Sequence, residues 1–228
     1  MRSYNDMKLW YLKNLDIFRA LPPREILRLH DISTFKKYNK KEFIYFSEIN
    51  LNNVYIIIEG YVVIGYLSAE GRNCATNILT EGDLFGAIIE GGESHGYARS
   101  LSRTIVCIID RNEFENVLEK YPLLSLKIVK MLGSKITRLE NKIQNLVFKD
   151  VKDRLYDLVR SLYGISQKIG SQQQTYSLSH EDIANLVGST RETVSVNLFE
   201  MKKKGLIDYD RGRFRVIRLK QLPGNPNH

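Results

Sequence analysis

The sequence predicts an α+β fold composed of a jelly-roll β domain, a long helix and a winged helix-turn-helix. Three observations support this prediction. Short β-type runs separated by turn signals follow one another from about Lys36 to Asp110. Apolar residues then recur at a helical spacing from Val129 to Leu146. Two short helical segments around Gly188 precede a pattern of two strands.

Composition indicates an ordinary globular protein. The chain has 228 residues, of which 43% are hydrophobic and 26% are charged. The N-terminus has no apolar signal core, and the apolar run "VYIIIEGYVVIGYLSA" contains Glu59 and two glycines, which favours two strands over a membrane span. We therefore expect a cytoplasmic protein with no membrane partner and with reduced thiols at Cys74 and Cys107.

Positive charge is concentrated near the C-terminus. The formal net charge is +8. Between Ser189 and Lys220 there are nine Lys or Arg and four Asp or Glu, a net of 9 − 4 = +5, which leaves 8 − 5 = +3 for the rest of the chain. A local basic cluster is typical of a polyanion-binding surface, although a solvated face gives the same pattern.

The first part of the chain is predicted to change from helix to strand. Residues 7–33 are expected to be helical, with Pro22 and Pro23 at a helix start, where a missing N–H costs nothing. Five strands are predicted after them, and their spacing favours a jelly roll or barrel. The predicted strands are "EFIYFS", "NVYIIIEG", "YVVIGYLS", "CATNILTEG" and "RTIVCIID".

The long helix carries an a/d heptad seam, with Val or Ile at every a position and Leu at every d position. This combination favours a parallel two-stranded coiled coil, and hence a homodimer. The alternative is a helix that lies on the core of its own domain. Polar residues leave the apolar stripe narrow, which favours a partner helix. The seam comprises Val129, Leu132, Ile136, Leu139, Ile143 and Leu146, and the polar residues beside it are Lys135, Arg138, Asn141 and Lys142.

Asp150 is a candidate N-cap for a new helix, so a boundary is expected near Lys149. The predicted domains are a β domain at 1–120, a dimerisation helix at 121–149, a winged helix-turn-helix at 150–222 and a loose tail at 223–228.

The helix-turn-helix prediction depends on capping signals. Ser179 with Asp182 predicts the start of one helix, and Ser189 with Glu192 predicts a second capping box. Gly188 supplies the turn between them. Ala184 and Val194 are expected in the small core, and "GLIDYDRGRFRVIRL" is expected to form the wing, with its turn at residues 210–212.

The second helix of such a motif enters the major groove of DNA. Arg191 can donate two hydrogen bonds to guanine, and Glu192 can accept one from cytosine. Ser189 and Thr190 suit a phosphate at the helix N-terminus. Further basic residues are expected along the DNA backbone. They are Lys202, Lys203, Lys204, Arg211 and Arg213.

Because Val194 is expected to point into the core, Ser195 and Val196 are expected on the helix face directed away from the core. A valine cannot hydrogen-bond, but its methyl groups can pack on a thymine methyl. The alternative is that Val196 lies in the core and Asn197 is exposed. Each polar residue also has a structural alternative, since Glu192 can cap its own helix, Arg191 can be solvated and "MKKKG" is an ordinary helix end. Together the features favour double-stranded DNA as a partner.

Three stretches resemble the Crp/Fnr family of bacterial transcription regulators: "GDLFG", its sensor-pocket signature; "FKDVKDRLYDLV", its hinge; and "DIANLVGSTRETVS", its helix-turn-helix. The resemblance covers nearly the whole chain. It implies a cyclic-nucleotide-binding-like effector domain whose signal shifts the DNA-binding domain. The effector pocket implied by the resemblance comprises Gly82, Asp83, Leu84, Phe85, Gly86, Ala87, Tyr97 and Arg99.

The chain departs from the cyclic-nucleotide branch of that family, so we expect it to bind no cyclic AMP. In that branch a Glu holds the ribose and an Arg holds the cyclic phosphate. Ala87 stands at the Glu position, the Arg position falls on Ser94 or Tyr97, and Arg99 is out of register. A phosphodiester pocket without its arginine loses a bidentate contact.

The number of cysteines and histidines also limits which other cofactors of the family the chain could bind. The oxygen-sensing branch needs four cysteine thiolates for its iron–sulfur cluster, and the chain has two cysteines. For a haem-sensing protein, His30 and His95 are the candidate ligands, although a lone histidine is more often structural. No metal site is predicted.

The sequence therefore predicts a homodimeric transcription regulator that binds palindromic sites, with RNA polymerase as a further partner. The alternative is a ligand-binding module whose basic C-terminal domain docks a protein. An enzyme is not expected, because no catalytic triad, metal-ligand spacing or Gly-rich phosphate loop is visible.

Overall fold

The computed structural model of the protein describes residues 4–46, 52–67, 73–87, 96–168, 175–210 and 213–217. The predicted helical N-terminus is confirmed. It contains α1 (Tyr4–Asn14), a short 3₁₀ helix (Asp16–Phe18) and α2 (Pro23–Ile32). Pro22 caps α2 and Pro23 occupies its first turn, as expected.

Two four-stranded sheets follow, and the predicted jelly-roll fold is confirmed. Their strands are β1 (Thr34–Tyr38), β2 (Phe43–Phe46), β3 (Asn53–Glu59), β4 (Val62–Leu67), β5 (Asn73–Leu79), β6 (Leu84–Gly86), β7 (Gly96–Ser100) and β8 (Thr104–Asp110). The strand orders are β1-β8-β3-β6 and β2-β7-β4-β5. Strand β3 is buried continuously from Val54 to Ile58, because both its faces are covered. Strands β1, β6 and β7 were not predicted from the sequence. They are short, and β1 also contains two lysines.

The remaining described chain is helical up to the wing. Its elements are α3 (Arg111–Lys120), α4 (Pro122–Phe148), α5 (Val151–Lys168), α6 (His180–Val187), α7 (Arg191–Lys203), β9 (Ile207–Asp210) and β10 (Arg213–Val216). Asp150 caps α5, as predicted, since its Oδ1 accepts from the N–H of Asp153 at 2.8 Å. Strands β9 and β10 pair antiparallel, with Arg213 opposite Asp210.

A buried carboxylate fixes the start of α4. Glu25 of α2 is almost inaccessible. Its Oε2 accepts from Lys120 Nζ at 3.2 Å and from the Tyr121 hydroxyl at 3.0 Å. Burial acts to raise the pKa of Glu25, but these hydrogen bonds outweigh burial and lower it. The carboxylate therefore stays ionised and joins α2 to the α3–α4 junction.

The chain divides into two compact units, Met1–Val62 with Ile78–Leu139, and Val63–Asn77 with Glu140–His228. The first unit has an apolar core that includes Phe18, Leu29 and Phe114. Among the described residues, no helix combines the length and hydropathy needed to span a bilayer.

Candidate nucleic-acid interface

A capping box and a left-handed glycine define the first helix of the motif. The N–H of Asp182 donates to Ser179 Oγ at 3.0 Å, and the N–H of Ser179 donates to Asp182 Oδ2 at 2.9 Å. This predicted box is confirmed. Helix α6 ends at Gly188, whose φ of +65° suits glycine, and a Cβ there would also clash with Leu146. The N–H of Ser189 closes the turn on the carbonyl of Ala184 at 2.9 Å.

The start of α7 corrects the sequence prediction. The predicted capping box of Ser189 and Glu192 is wrong, because Thr190 is the N-cap. Thr190 has the extended backbone of a cap, and its Oγ1 accepts from the N–H of Thr193 at 3.3 Å. The N–H of Ser189 is already used to close α6, so the helix begins one residue later. Glu192 therefore lies exposed in the first turn instead of at the third position of a box.

The faces of α7 are clearly separated. Val194, Leu198 and Met201 are buried in the small core. Val196 is 61% exposed on the opposite side, so the alternative that it packs in the core is wrong. Asn197 is half-buried, and its Nδ2 donates to the carbonyl of Thr193 at 2.8 Å.

Phe199 is a member of the exposed face that the sequence analysis missed. It is 67% exposed and follows Val196 by three residues, about one helical turn. The signal was present in the sequence, because Glu192, Val196, Phe199 and Lys203 recur at the spacing of one helix face. This exposed face thus has an acidic start, an apolar middle and a basic end.

Ser195 lies at the edge of that face, and its hydroxyl is engaged within the domain. Ser195 Oγ donates to the carbonyl of Arg191 at 2.8 Å. His180 Nδ1 lies 2.6 Å from the same oxygen and therefore acts as the donor to it. The His180 ring packs on Tyr209 of β9, with centroids 4.4 Å apart. Burial, with the nearby Arg191 charge, lowers the pKa of His180, so this contact is made by the neutral ring.

The basic residues differ in what they contact. Lys202 Nζ donates to the carbonyl of Tyr209 at 2.7 Å and pairs with Asp208 at 3.2 Å, so it ties the end of α7 to the wing. Lys203, Lys204 and Arg213 are exposed. Arg211, which was predicted to contact DNA, lies outside the described residues.

The predicted seam on α4 is mostly exposed in the single chain. Val129, Ile136, Leu139 and Ile143 are each more than half exposed, so they do not lie on the core of their own chain. Leu132 is half-buried against the core of the first unit. Leu146 is 41% exposed and packs beside Gly188.

Two lysines beside the seam attach α4 to strands β6 and β5. Lys135 Nζ donates to the carbonyl of Leu84 at 2.7 Å, and Lys142 Nζ donates to the carbonyl of Thr76 at 2.8 Å. Burial lowers the pKa of Lys135, against the opposing effect of Asp83. These lysines leave the apolar seam available for a partner.

Comparisons with known proteins agree with this geometry. The model of the Crp-like helix-turn-helix domain matches residues 153–223, and that of the cyclic nucleotide-binding domain matches residues 35–121. The CRP-like cAMP-activated global transcriptional regulator of Mycobacterium tuberculosis (strain H37Rv) is 29% identical over 163 residues, 68% of this chain and 71% of that protein. The anaerobic regulatory protein of Bacillus subtilis (strain 168) is 26% identical over 188 residues, 80% of this chain and 79% of that protein. The solved structure of a CooA mutant from Carboxydothermus hydrogenoformans is 26% identical, with a TM-score of 0.61 over 91% of this chain and 93% of that chain.

The chain belongs to the Crp/Fnr family. It is a DNA-binding transcription regulator with a cyclic-nucleotide-binding-like sensing domain. We call the exposed face of α7 the recognition face, and the pair of strands β9 and β10 the wing.

Most of the implied effector-pocket residues of this Crp/Fnr regulator build the β domain itself. Gly82 and Gly86 have φ of +82° and +87°, and a Cβ at Gly86 would meet Asn53 O and the Tyr55 ring. Asp83 Oδ2 accepts from the N–H of Thr80 at 2.8 Å. Leu84 is buried, and the buried Phe85 ring stacks on Tyr55, with centroids 5.1 Å apart.

The positions that distinguish the branches of the Crp/Fnr family are only partly described. Ala87 is half-buried, and its N–H donates to Asn53 O at 3.0 Å. Tyr97 of β7 is 1% exposed, and Arg99 of the same strand pairs with Phe43 of β2. Ser94 and His95 lie outside the described residues.

Two other candidate cofactor ligands, His30 and Cys107, are engaged or buried. His30 Nδ1 lies 3.0 Å from Asp31 Oδ1. Cys107 is buried, and burial raises the pKa of its thiol to about 12, so the thiol is protonated and unreactive at neutral pH. Cys74 lies in β5. In the described part of the chain, no group of three or more His, Cys, Asp or Glu is placed to hold a metal.

A contact that the sequence did not indicate joins three parts of the DNA-binding unit of this Crp/Fnr regulator. Arg154 of α5 donates to three backbone carbonyls. Its Nη1 reaches Lys149 at 2.6 Å, its Nε reaches Val187 at 2.7 Å, and its Nη2 reaches Gly188 at 3.0 Å. A planar guanidinium can satisfy three acceptors in this way, whereas an ammonium cannot reproduce the fork. Arg154 therefore fixes the turn before α7 to the residue that follows α4.

Proposed function

We propose that this Crp/Fnr regulator acts in the cytoplasm as a homodimer that binds palindromic DNA through α7 and the wing. The observation that carries the proposal is the recognition face of α7, which is exposed and begins at Glu192, next to the exposed Arg191. Exposed cations, Lys203, Lys204 and Arg213, border that face and suit phosphates. The proposed role is regulatory, not catalytic, and RNA polymerase is the proposed further protein partner.

The dimer sets the geometry of the target. The exposed seam of α4 would pair with the same seam of a second copy. Two recognition helices related by a two-fold axis bind half-sites whose centres are about 34 Å apart. Each half-site is proposed to hold a G·C pair read by Arg191 and Glu192, and an A·T pair facing Val196.

Selection of bound duplexes from a random pool tests this proposal. We expect a palindrome, with affinity that falls steeply as salt rises. Arg191→Ala should weaken binding by about 1–3 kcal/mol and should relax the preference for guanine at one position of the half-site. In Val196→Arg, the selected base at the pair facing residue 196 should change towards G.

The alternative function, docking of a protein partner, has a different outcome. Binding of all duplexes with equal affinity, or of none, would favour the docking module. A selected motif that is the same in the wild type and in Val196→Arg would show that Val196 does not face a base pair.

We propose further that the effector is not a cyclic nucleotide, although the M. tuberculosis relative is named as cAMP-activated. Ala87 offers no carboxylate to a ribose, and Tyr97, one of the two positions aligned with the phosphate-binding arginine, is a buried aromatic residue in β7. We therefore expect neither cyclic AMP nor cyclic GMP to control this protein.

Titration calorimetry with cyclic AMP and cyclic GMP tests the effector proposal. We expect no heat of binding at micromolar nucleotide, because the ribose and the cyclic phosphate would lose their charge-assisted partners. The M. tuberculosis relative is the positive control for cyclic AMP. Micromolar binding of either nucleotide by this chain would refute the proposal.

A further inference from the structure

Two apolar side chains occupy the centre of the recognition face. Val196 is 61% exposed and Phe199 is 67% exposed. Both lie opposite the buried Val194, Leu198 and Met201, so neither contributes to the core of the domain. A single exposed apolar residue needs no explanation, but two on adjacent turns of a recognition helix form a continuous apolar strip. We call Val196 and Phe199 the apolar strip.

The surroundings of the strip indicate what covers it. Glu192 precedes it by one turn, and Lys203 follows Phe199 by one turn, with its Nζ 6.0 Å from the centroid of the Phe199 ring. Lys204 and Arg213 are also exposed. This distribution of charge complements a groove whose floor carries apolar groups and whose edges are phosphates. Among nucleic acids, the major groove of DNA has that character, because each thymine projects a C5-methyl group into it.

The spacing of the strip matches base pairs. Val196 lies one helical turn and Phe199 two turns after Glu192, so the three side chains follow one line along the recognition face. Val196 and Phe199 differ by three residues, a rise of about 4.5 Å along the helix. That rise is close to the separation of about 3.4 Å between stacked base pairs. The two side chains therefore suit neighbouring base pairs.

We infer that Phe199 is a specificity-determining residue whose ring, together with Val196, packs on pyrimidine C5-methyl groups at two adjacent base pairs of each half-site. The inference rests on the proposed function and extends it, because it adds a second apolar reader and specifies the group that is read. Since the contact is made to a methyl group, 5-methylcytosine satisfies it as well as thymine does. Deoxyuridine does not, although it pairs with adenine in the same way.

The test uses the full-length protein and the duplex selected as described above. Each thymine of the half-site is replaced in turn by deoxyuridine, which removes only the methyl group. For the wild type we expect two adjacent positions at which affinity falls about fourfold, the effect of losing one buried methyl contact. Replacing the Phe199 pair with C·G should weaken binding, and 5-methylcytosine at that position should restore it.

Variants assign each methyl group to a side chain. In Phe199→Ala, one of the two positions should lose its sensitivity to deoxyuridine while the other keeps it, and Val196→Ala should give the converse. Phe199→Leu, which remains apolar, should retain part of the sensitivity. Because both side chains are exposed, these truncations leave the core intact, which circular dichroism would verify. Lys204→Ala is the matched control, and it should weaken all duplexes equally and keep both deoxyuridine effects.

The outcomes separate the two proposals. If no duplex is selected, the proposed function fails, and this inference fails with it. If a duplex is selected but Phe199→Ala weakens the thymine and deoxyuridine duplexes by the same factor, the inference alone is overturned. In that case the ring contacts the sugar-phosphate backbone or does not touch DNA.

Discussion

Leu139→Lys is expected to convert the regulator to a monomer and to abolish tight binding to its palindrome. Leu139 occupies a d position of the α4 seam and is 55% exposed in the single chain. In the dimer, two lysines would replace two buried leucines, each of which contributes about 2 kcal/mol of apolar burial. The combined loss of about 4 kcal/mol weakens dimerisation roughly a thousandfold, before the cost of burying charge is added. Sedimentation and duplex binding would measure both effects.

Asn141→Lys is the matched control for this experiment. It introduces the same side chain and the same charge two residues along the helix, at an exposed position outside the seam. It should remain dimeric and bind DNA at least as well as the wild type. A Leu139→Lys protein that still sediments as a dimer would show that the seam is not the interface.

Arg154→Lys is expected to destabilise the DNA-binding unit by roughly 2 kcal/mol and to weaken DNA binding. Arg154 bridges the carbonyls of Lys149, Val187 and Gly188. Lysine keeps the charge, but its ammonium cannot reach three acceptors with one planar group. Hydrogen bonds to a charged donor contribute about 1.5–3 kcal/mol each when they are shielded. Since this side chain is partly exposed, we expect a total loss of roughly 2 kcal/mol in the free energy of unfolding, with a looser placement of α7.

Arg160→Lys, on the same helix, is the control for Arg154→Lys. Arg160 Nη1 pairs with Asp157 Oδ1 at 2.7 Å, a contact that lysine can replace. Its stability and DNA affinity should change little. Denaturant unfolding and duplex titration of the two variants provide the comparison, and equal effects would show that the fork of Arg154 has no special role in positioning α7.

Local patterns with one physical solution could be predicted from the sequence. The Val, Ile and Leu spacing of α4 has a single amphipathic arrangement, and the exposed seam follows from it. Asp150 and Ser179 cap the helices that they were expected to cap. The exposure of Val196 follows from the burial of Val194 and Leu198 on either side of it in the helix.

Which of two neighbouring residues caps a helix could not be predicted in the same way. Ser189 and Thr190 are both good N-caps, and the sequence pattern favoured Ser189. The choice depends on Gly188, whose left-handed backbone directs the N–H of Ser189 back to Ala184 and leaves Thr190 to cap α7. Which of two adjacent residues closes one helix and which opens the next is set by the geometry of the turn.

Tertiary hydrogen bonds to the main chain leave no pattern in the sequence. From the sequence, Lys135 and Lys142 were identified only as polar residues beside the seam, and Arg154 had no predicted role. In the structure each one donates to a backbone carbonyl distant in the chain. A carbonyl is present in every residue, so the acceptor cannot be recognised from its side chain. The same reason explains why part of the proposed site, such as the role of Lys202 in the wing, emerged only from the structure.

The attachment of α4 to the strands has an evolutionary consequence. Lys135 and Lys142 bind the main-chain oxygens of Leu84 and Thr76, not their side chains. Substitutions on those strands leave the oxygens where they are, as long as the strands persist. Leu84 and Thr76 can therefore be substituted during evolution without loss of the acceptors that hold α4.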